Sequence, residues 1–516
     1  MNEKNSHCMN KVRLILLLCL LSCSAAVLAQ TNVALVRLDS LSRSYAEVYG
    51  RYEEGEFRDT WQAPRMWSAG AATGSVRHFE RMSLTGSFSF DQTEGYGMCG
   101  SMFIKPGYFP IDVLEFTPGR KTLQTYAFDG GIAYDLDGTW TIGARMDFES
   151  SNLAKRKDLR HVNSLMDMDL VLGGVFHAGE RVDIGLNYVY RRRNETLLLS
   201  TYGTQDKTFV SLLNYGAFFG KQETFGEIGY TKENENKPLF DARHGATLQV
   251  AWRTGNAEWF NEAGFHTRSG YYGDPSYSTV VYSTHRGHGF FYQGLLTFAS
   301  GSDAHRFGLR YGQEHVANTE NIYSYKNEET GRDYIEYLGE REVGERTQRS
   351  LALGYTGRFG IRHGLARWEA WADASLDNRN TRASNYPDYR RQNISWWRLK
   401  AMGTRNFLSG RNCYSLSVSA LYGGGSGEPC ADGRYGSGTS GEALTRTRND
   451  LLMQEWEYLA ASQIGAGIGF TYSRAMWKGK VRGNAGLAYD MCKAFGTRHL
   501  DGTMRHTVSL RIGCNF

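Results

Sequence analysis

Apolar and polar residues alternate with period two along most of this chain. The last ten residues show the pattern most cleanly: Val508, Leu510, Ile512, Cys514 and Phe516 form one face, and polar or small residues fill the positions between. Such alternation predicts a strand with one apolar and one wet face. An earlier pair runs Tyr126, Phe128, Gly130, Ile132, Tyr134, Leu136, then Asp137-Gly138, then Trp140, Ile142, Ala144, Met146, Phe148. Asp-Gly at the tip is a tight-turn signal, because glycine accepts the positive φ that a short hairpin demands. The pattern repeats from Met166 to Phe176, turns at Ala178-Gly179-Glu180, and returns from Val182 to Tyr190. The apolar face is rich in Phe, Tyr, Trp, Leu and Met, with aromatics near strand ends. That favours a lipid-facing band with interfacial girdles over a β-sandwich or a soluble barrel turned inside out.

Turn spacing extends the strands to an architecture. Short connections fall at Asp137-Gly138, Ala178–Glu180, around Gly220, Thr254–Ala257, Ser300–Ala304, Gly360–His363, Leu408–Gly410 and Arg474–Met476. Longer ones occupy roughly 92–122, 151–162, 198–206, 234–243, 269–286, 317–345, 379–392, 424–455 and 494–502. Eight short turns and nine long loops predict an all-β, transmembrane antiparallel β-barrel of about 18 strands (range 16–20), with short periplasmic turns and long extracellular loops. The first clean strand carries Met82, Leu84, Gly86, Phe88 and Phe90. Before it, Ala34 to Tyr52 mixes apolar and charged residues at near-helical spacing and predicts a short helix. The expected organisation is a signal peptide over 1–29, a periplasmic or lumenal segment over 30–78 and the barrel over 79–516. The middle segment is too small for the plug domain of a TonB-dependent receptor, and the strand count falls short of the 22 of that class.

Export is written at the N-terminus. Lys4, Lys11 and Arg13 precede an apolar core from Leu14 to Leu21 that is too short to span a bilayer as a helix. Val27-Leu28-Ala29 places small residues for cleavage before Gln30, whereas a rival lipoprotein site at Cys23 is poorly matched by Leu21. Cys8, Cys19 and Cys23 fall in that leader; Cys99, Cys413, Cys430, Cys492 and Cys514 remain, an odd and scattered set with no CxxC and no disulfide framework. Aromatics make up 13% of the chain, with 60 glycines and only 8 prolines, yet mean hydropathy is negative. A barrel reconciles these numbers, because every second strand residue faces water. A formal charge of +5 is too small to argue for nucleic acid or a polybasic anchor.

An exported chain that ends on an aromatic-terminated strand resembles the outer-membrane β-barrels of Gram-negative bacteria. The resemblance implies that Val508, Leu510, Ile512 and Phe516 form a C-terminal signal for the barrel-assembly machinery. The stretch from Lys155 to Ser164, the strand Met166–Phe176, and Tyr188–Glu195 look like a family of Bacteroidota outer-membrane β-barrels described only as a domain of unknown function. Leu159 departs from that family's pattern, which usually has Pro there. The resemblance implies an outer-membrane location and architecture, but no activity and no catalytic residues. It implies as partners outer-membrane lipid and lipopolysaccharide, the assembly machinery, and TonB-dependent receptors or surface lipoproteins.

No GxSxG elbow and no compact Ser/His/Asp grouping stands out, so no enzyme is expected, with a rim-located hydrolase as the minor alternative. His285 and His288 form an HxxH, but on a strand i and i+3 point to opposite faces; neither a metal site nor a cofactor is expected. Charges point into lipid only at a cost of about 2–4 kcal/mol for Arg or Lys at midplane, so those on strands should face inward. The candidate lumen-lining set is Asp129, Asp135, Arg145, Asp147, Asp167, Asp169, Asp183, Arg253, Glu262, Arg310, Glu369 and Arg398. Cross-pairing that stiffens the wall is the preferred reading of this set; an acidic wall facing a basic one, selecting solutes, is the functional rival. The acidic stretch 317–345 reads as a solvated loop without EF-hand spacing. The glycine-rich stretch 424–455 reads as a flexible loop long enough to fold inward or outward. The functional expectation is a passive channel or accessory component of nutrient uptake, with a non-conducting surface or assembly protein as the alternative.

Overall fold

A computed structural model describes residues 43–516 apart from 203–207, 227–228, 276–278, 328–332, 363 and 437–444. The expected signal peptide, residues 30–42 and the core of the glycine-rich stretch lie outside the described residues. The first strands are β1 (Arg43–Gly55), β2 (Arg65–His78), β3 (Met82–Ser101), β4 (Asp112–Asp135), β5 (Trp140–Lys155), β6 (Arg160–Ala178) and β7 (Val182–Ser200). After them, β8 (Val210–Gly216) and β9 (Phe219–Thr224) leave the wall. The wall resumes with β10 (Asn236–Thr254), β11 (Ala257–Gly273), β12 (Val281–Ser300), β13 (Asp303–Asn327), β14 (Asp333–Phe359), β15 (Trp368–Asn385), β16 (Asp388–Ser409) and β17 (Asn412–Arg434). A three-residue strand, β18 (Thr445–Thr447), and the helix α1 (Asn449–Ala460) turn inward before β19 (Ser462–Met476), β20 (Val481–Phe495) and β21 (Met504–Asn515) complete the wall.

Each wall strand pairs antiparallel with the next. β7 passes directly to β10, β17 passes directly to β19, and β21 returns to β1 from Tyr45–Asn515 to Gly55–Arg505. The result is a closed ring of 18 strands. Closure removes the free edge that hydrocarbon cannot tolerate.

The alternation read from the sequence sets the two faces. Phe128, Ile132, Ile142, Met146, Leu186, Leu353, Val418 and Ile468 are all exposed on the outer face, as a lipid-facing band requires. Trp140, Trp252, Trp259, Trp368 and Trp477 are exposed beside the short turns, forming one aromatic girdle. At the other end the walls rise well beyond the bilayer: β13 has 25 residues and β14 has 27, where about 9–11 suffice to span. Much of the expected long loops is therefore strand. β15 and β16 meet at Tyr386-Pro387 alone, and the acidic stretch 317–345 is the upper part of the β13–β14 hairpin.

The strand count is correct, but two strands have changed places. The segment 43–78, expected to be periplasmic or lumenal with a helix over 34–52, forms wall strands β1 and β2. In β1 the large side chains Tyr45 and Tyr49 sit on the lumen face and Val48 and Tyr52 on the outer face, so their spacing imitates a helix. In β2 both faces are small, Ser68, Gly70, Ala72 and Gly74 against Ala69, Ala71 and Thr73, so no contrast remains to read. Conversely, the hairpin expected around Gly220 exists, but β8 and β9 lie inside the barrel.

At the C-terminus, Val508, Leu510, Ile512 and Phe516 are exposed on the outer face. Arg511 turns inward toward Glu47 at 3.5 Å, and Phe516 and Ser44 exchange two backbone hydrogen bonds. Leu510→Arg is expected to cost about 2–4 kcal/mol of barrel stability in liposomes, and Arg511→Leu under about 1 kcal/mol. Urea titration of the heat-modifiable folded band checks this, and equal tolerance of both changes would contradict the assigned facing of β21.

Candidate functional site

Four insertions enter the barrel at its long-loop end: residues 56–64, residues 102–111, the β8–β9 hairpin, and β18 with α1. Val210-Ser211-Leu212-Leu213-Asn214-Tyr215-Gly216-Ala217-Phe218-Phe219 is apolar on both faces, the signature of a strand buried on both sides. β8 pairs with the inner end of β4 (Leu212–Asn214 beside Asp112–Leu114), and β9 pairs with β18. The insertions are thereby tied to one another and to the wall.

Their apolar side chains make a core inside the barrel mouth. Met102, Phe103, Phe109, Leu213, Tyr215 and Phe219 are buried against Leu197 and Leu199 of β7, Leu239 of β10, Tyr272 of β11, Tyr282 of β12, Val343 of β14 and Ala383 of β15. A second cluster joins Leu212, Ala217 and Phe218 to Leu114 of β4 and Leu452 of α1. Toward β1 and β21, Phe57 meets Tyr458 at 5.2 Å between ring centroids, and Glu457 accepts the backbone N–H groups of Arg498, His499 and Leu500 at 2.8–3.1 Å. The packed material reaches the wall around its circumference. Two wall glycines permit the close approach: a Cβ at Gly344 would collide with the Tyr215 carbonyl oxygen, and one at Gly425 with Ala460 at the end of α1.

Polar groups lock loop 102–111 into this core. The Tyr108 hydroxyl donates to Asp241 Oδ1 at 2.8 Å, and its ring lies 4.1 Å from the Arg193 guanidinium, 4.5 Å from Arg268 and 5.1 Å from Arg243. Burial pushes the Tyr108 phenol up to about 12, so it stays a donor at neutral pH. Asp241 is also held by Arg268 and by His285 Nε2 at 2.8 Å. The Ile104 N–H donates to Glu195 at 2.7 Å, and Lys105 reaches Glu149 at 2.8 Å. Under the hairpin, Glu320 gathers Tyr215 at 3.0 Å, Arg341 at 2.7 Å and Lys221. Arg390, fully buried, bridges Asp432 at 2.7 Å and the Ala217 carbonyl at 3.1 Å.

The candidate charges divide between this zone and the open lumen. Asp167 joins the inward-folded insertions, which together form a cork, and is held by Arg191 at 2.7 Å and Arg193 at 3.1 Å, with Asp169 3.5 Å from Arg191. Lower down, Arg145 sits between Asp129 at 3.2 Å and Asp147 at 2.8 Å. Asp183 binds His177 at 2.6 Å and Arg253, which also reaches Glu258 at 3.2 Å. Glu262 accepts from Gln249 at 2.9 Å and from Gln293; Arg310 faces Asp373 at 3.8 Å, and Glu369 faces Arg358 at 3.9 Å. Asp135 accepts the Gly138 N–H at 2.7 Å and belongs to a turn, while Arg398 lies on the lumen face of β16 with Lys400. His285 points inward to Asp241, whereas His288 lies beside Phe265 and His315 on the other face. Below the cork the lumen stays open, with a space of about 760 Å³ lined by Arg51, Glu369, Trp371, Lys400, Ser419 and Asp490.

Tyr108, Asp241, Arg268 and Glu320 were absent from the candidate set. Asp241 and Glu320 fall in stretches expected to be loop, Arg268 stands one residue before another such stretch, and Tyr108 lies in a real loop with no periodicity to place it. One signal was available: Phe103, Tyr108, Phe109 and Ile111 are too apolar for a solvated loop.

A model of the family of unknown function DUF6850 matches residues 33–516. No curated protein matches the chain. Solved structures with a similar fold include a mutant of the ferric enterobactin receptor PfeA from Pseudomonas aeruginosa, at 10% identity and TM-score 0.41 over 92% of this chain and 80% of that one. The ferric yersiniabactin uptake receptor FyuA from Yersinia pestis matches at 8% identity and TM-score 0.40, again over 92% and 80%. Likeness at this level carries no inference about cargo.

Asp59, in the 56–64 insertion, gives the cork a pH dependence. Burial, then the charge of Glu455, raises its carboxyl to about 7, against the lowering pull of the Thr60 N–H and Arg379. A folded-state value above the unfolded one means that this contribution is full below about pH 4 and is lost as pH rises through about 7. Amide protection factors across 56–64 are expected to fall between pH 4 and pH 8, and Asp59→Asn should flatten that fall. A wild-type profile as flat as the variant's would refute the assignment.

Proposed function

We propose, for a chain that belongs to the family of unknown function DUF6850, that it is an outer-membrane barrel closed at rest by its own loops, acting as an accessory component of nutrient uptake rather than as an open passive channel. The leader-like N-terminus, the lipid-facing band and the tryptophan girdle support the outer membrane, with short turns in the periplasm and the long-loop end outside. The observation that carries the closed state is the buried core across the mouth, from Leu197 on β7 to Ala383 on β15. Barrels of 16–18 strands leave an aqueous channel unless something fills it. Here the filling is built from residues 102–111 and the β8–β9 hairpin.

The outer end of the β13–β14 hairpin favours a partner. Ile322, Tyr325, Tyr337 and Leu338 are exposed there, well above the level of the bilayer-facing residues of the same strands. Apolar side chains clustered in water point to a protein surface that covers them. A TonB-dependent receptor or a surface lipoprotein is the class of partner this reading favours. No catalytic step is assigned to the chain.

In a planar bilayer the refolded barrel is expected to be silent. Replacing 103–110 with a Gly-Ser stretch and deleting 210–224 should produce steady conductance with ion preference. Steady conductance of the unaltered barrel would overturn the closed reading. Ile322→Glu combined with Leu338→Glu is expected to abolish co-purification of a stoichiometric outer-membrane partner while leaving the heat-modifiable band intact.

A further inference from the structure

Loop 102–111 places a backbone carbonyl, not a side chain, among the guanidinium groups of the cork. The Tyr108 carbonyl oxygen accepts from Arg268 Nη2 at 2.8 Å and from Arg346 Nη2 at 3.4 Å. The two arginines differ in what else they hold. Arg268 is neutralised by Asp241 and reaches Glu314 at 3.3 Å. Arg346 donates to that carbonyl and makes no ion pair among the described residues. The acid that acts on it electrostatically, Glu314, is already engaged by Arg243 at 3.2 Å, Arg268 at 3.3 Å and His266 at 3.7 Å.

Arg346 also lines a cavity of about 320 Å³ beneath the loop, with Asn214, Gln348, Arg379, Gln392 and Trp396. That volume lies at the lower end of the range for small-molecule sites, about 300–1,000 Å³. The cavity faces the open lumen through Gln348, which is exposed. Its wall combines aromatic rings, three amides and two guanidinium groups, the mixture that orients a small polar solute. Of the guanidinium groups, Arg379 is spent on Glu455 in a two-point contact, the longer at 3.1 Å. Arg346 is the uncommitted one. A guanidinium presents a planar fork of donors that fits a carboxylate or phosphate edge-on.

Four carboxyl residues also line this space, and each has a partner: Glu345 faces Arg382 at 3.6 Å. Glu455 belongs to Arg379, and Asp112 accepts from Ser101 Oγ at 2.8 Å. Asp59 accepts the Thr60 N–H at 2.7 Å, and burial lifts its carboxyl to about 7, which weakens its repulsion of an anion. We propose that the cavity is an oxyanion subsite, in which the fork of Arg346 takes the carboxylate or phosphate group of a small solute. In the closed barrel the Tyr108 carbonyl stands in for one oxygen of that group. The inference rests on the closed reading above, since withdrawal of loop 102–111 would remove the roof of the site.

The test is the thermal unfolding of the refolded full-length mature barrel in detergent, followed by its heat-modifiable band, with inorganic phosphate or acetate added at constant ionic strength. A ligand that binds only the folded state raises the midpoint saturably. A saturable rise is expected, and the anion with the lower half-effect concentration shows whether a phosphate or a carboxylate is preferred. Arg346→Gln should raise that concentration about tenfold or more, the loss of a charged hydrogen bond. Arg346→Lys should fall between the two, keeping the charge without the fork. Arg349→Gln serves as the control, because Arg349 lies on the opposite face of β14 with Gln313 at 3.2 Å and Asn378 at 3.4 Å. No saturable rise, or an unchanged half-effect concentration in Arg346→Gln, overturns the subsite. If Arg346→Gln does not fold, an unchanged value in Arg346→Lys does the same. A conducting wild-type barrel would instead sink the closed reading, and conductance is read in a separate experiment.

Discussion

Backbone N–H and C=O groups cannot be left unpaired in hydrocarbon, and the rest of this structure depends on how the chain meets that constraint. β21 has an outer edge that only β1 can cover, and it does so along Tyr45–Gly55 with the terminal Phe516 bonded back to Ser44. A strand pairing between the two ends of the described chain makes the ring, and the ring fixes the diameter. With 18 strands the diameter exceeds what inward side chains alone can fill. The cork is the consequence. Loops that would hang in water above a narrower barrel have room to fold inward, and their apolar residues are buried by doing so.

Local neutralisation governs the polar part of the interior. Arg145 lies between two aspartates from its own and the neighbouring strand, and Asp183 lies between His177 and Arg253. Opposite charges on adjacent strands stand close enough to pair directly, as cross-strand neighbours do. The wall therefore spends its charges at short range. Arg346 stands outside that scheme: its contact is a carbonyl from a loop, and its side chain borders open space.

Legibility in the sequence followed contrast between faces. Strands β4 to β7 carry large apolar residues outward and Asp, Asn, Arg or Gly inward, so they could be read residue by residue. β1 hides because tyrosines occupy both of its faces, and β2 because alanine, glycine and serine occupy both of its own. The β8–β9 hairpin fails for the opposite reason, since Leu212-Leu213 and Phe218-Phe219 bury both sides. A periodicity argument assigns that run to a strand but is silent about which layer holds it. The inward charges were legible because lipid forbids the alternative. Their partners were not, since Asp241, Arg268 and Glu320 depend on strands that continue above the bilayer, where lipid no longer dictates a pattern.

The parts of the cork differ in how they are held, and this decides which of them is separable. The hairpin is stitched by backbone pairing to β4 and β18, and α1 is anchored through Glu457 and Arg379. Moving either breaks a sheet ladder or strands a buried charge, and removing one member of a buried pair costs about 3–5 kcal/mol. Loop 102–111 pairs with the wall chiefly through side chains. Its ties to acids, Ile104 N–H to Glu195, Tyr108 to Asp241 and Lys105 to Glu149, leave each acid a partner when the loop leaves: Glu195 keeps the Asn163 amide at 2.8 Å, Asp241 keeps Arg268 and His285, and Glu149 keeps the Ser151 hydroxyl at 3.2 Å. The apolar cost is confined to Phe103, Phe109 and their neighbours, at about 1.5–3 kcal/mol for each large side chain. A partner or solute that supplies that much differential binding is enough to displace this loop alone, with the hairpin and helix left in place as its frame.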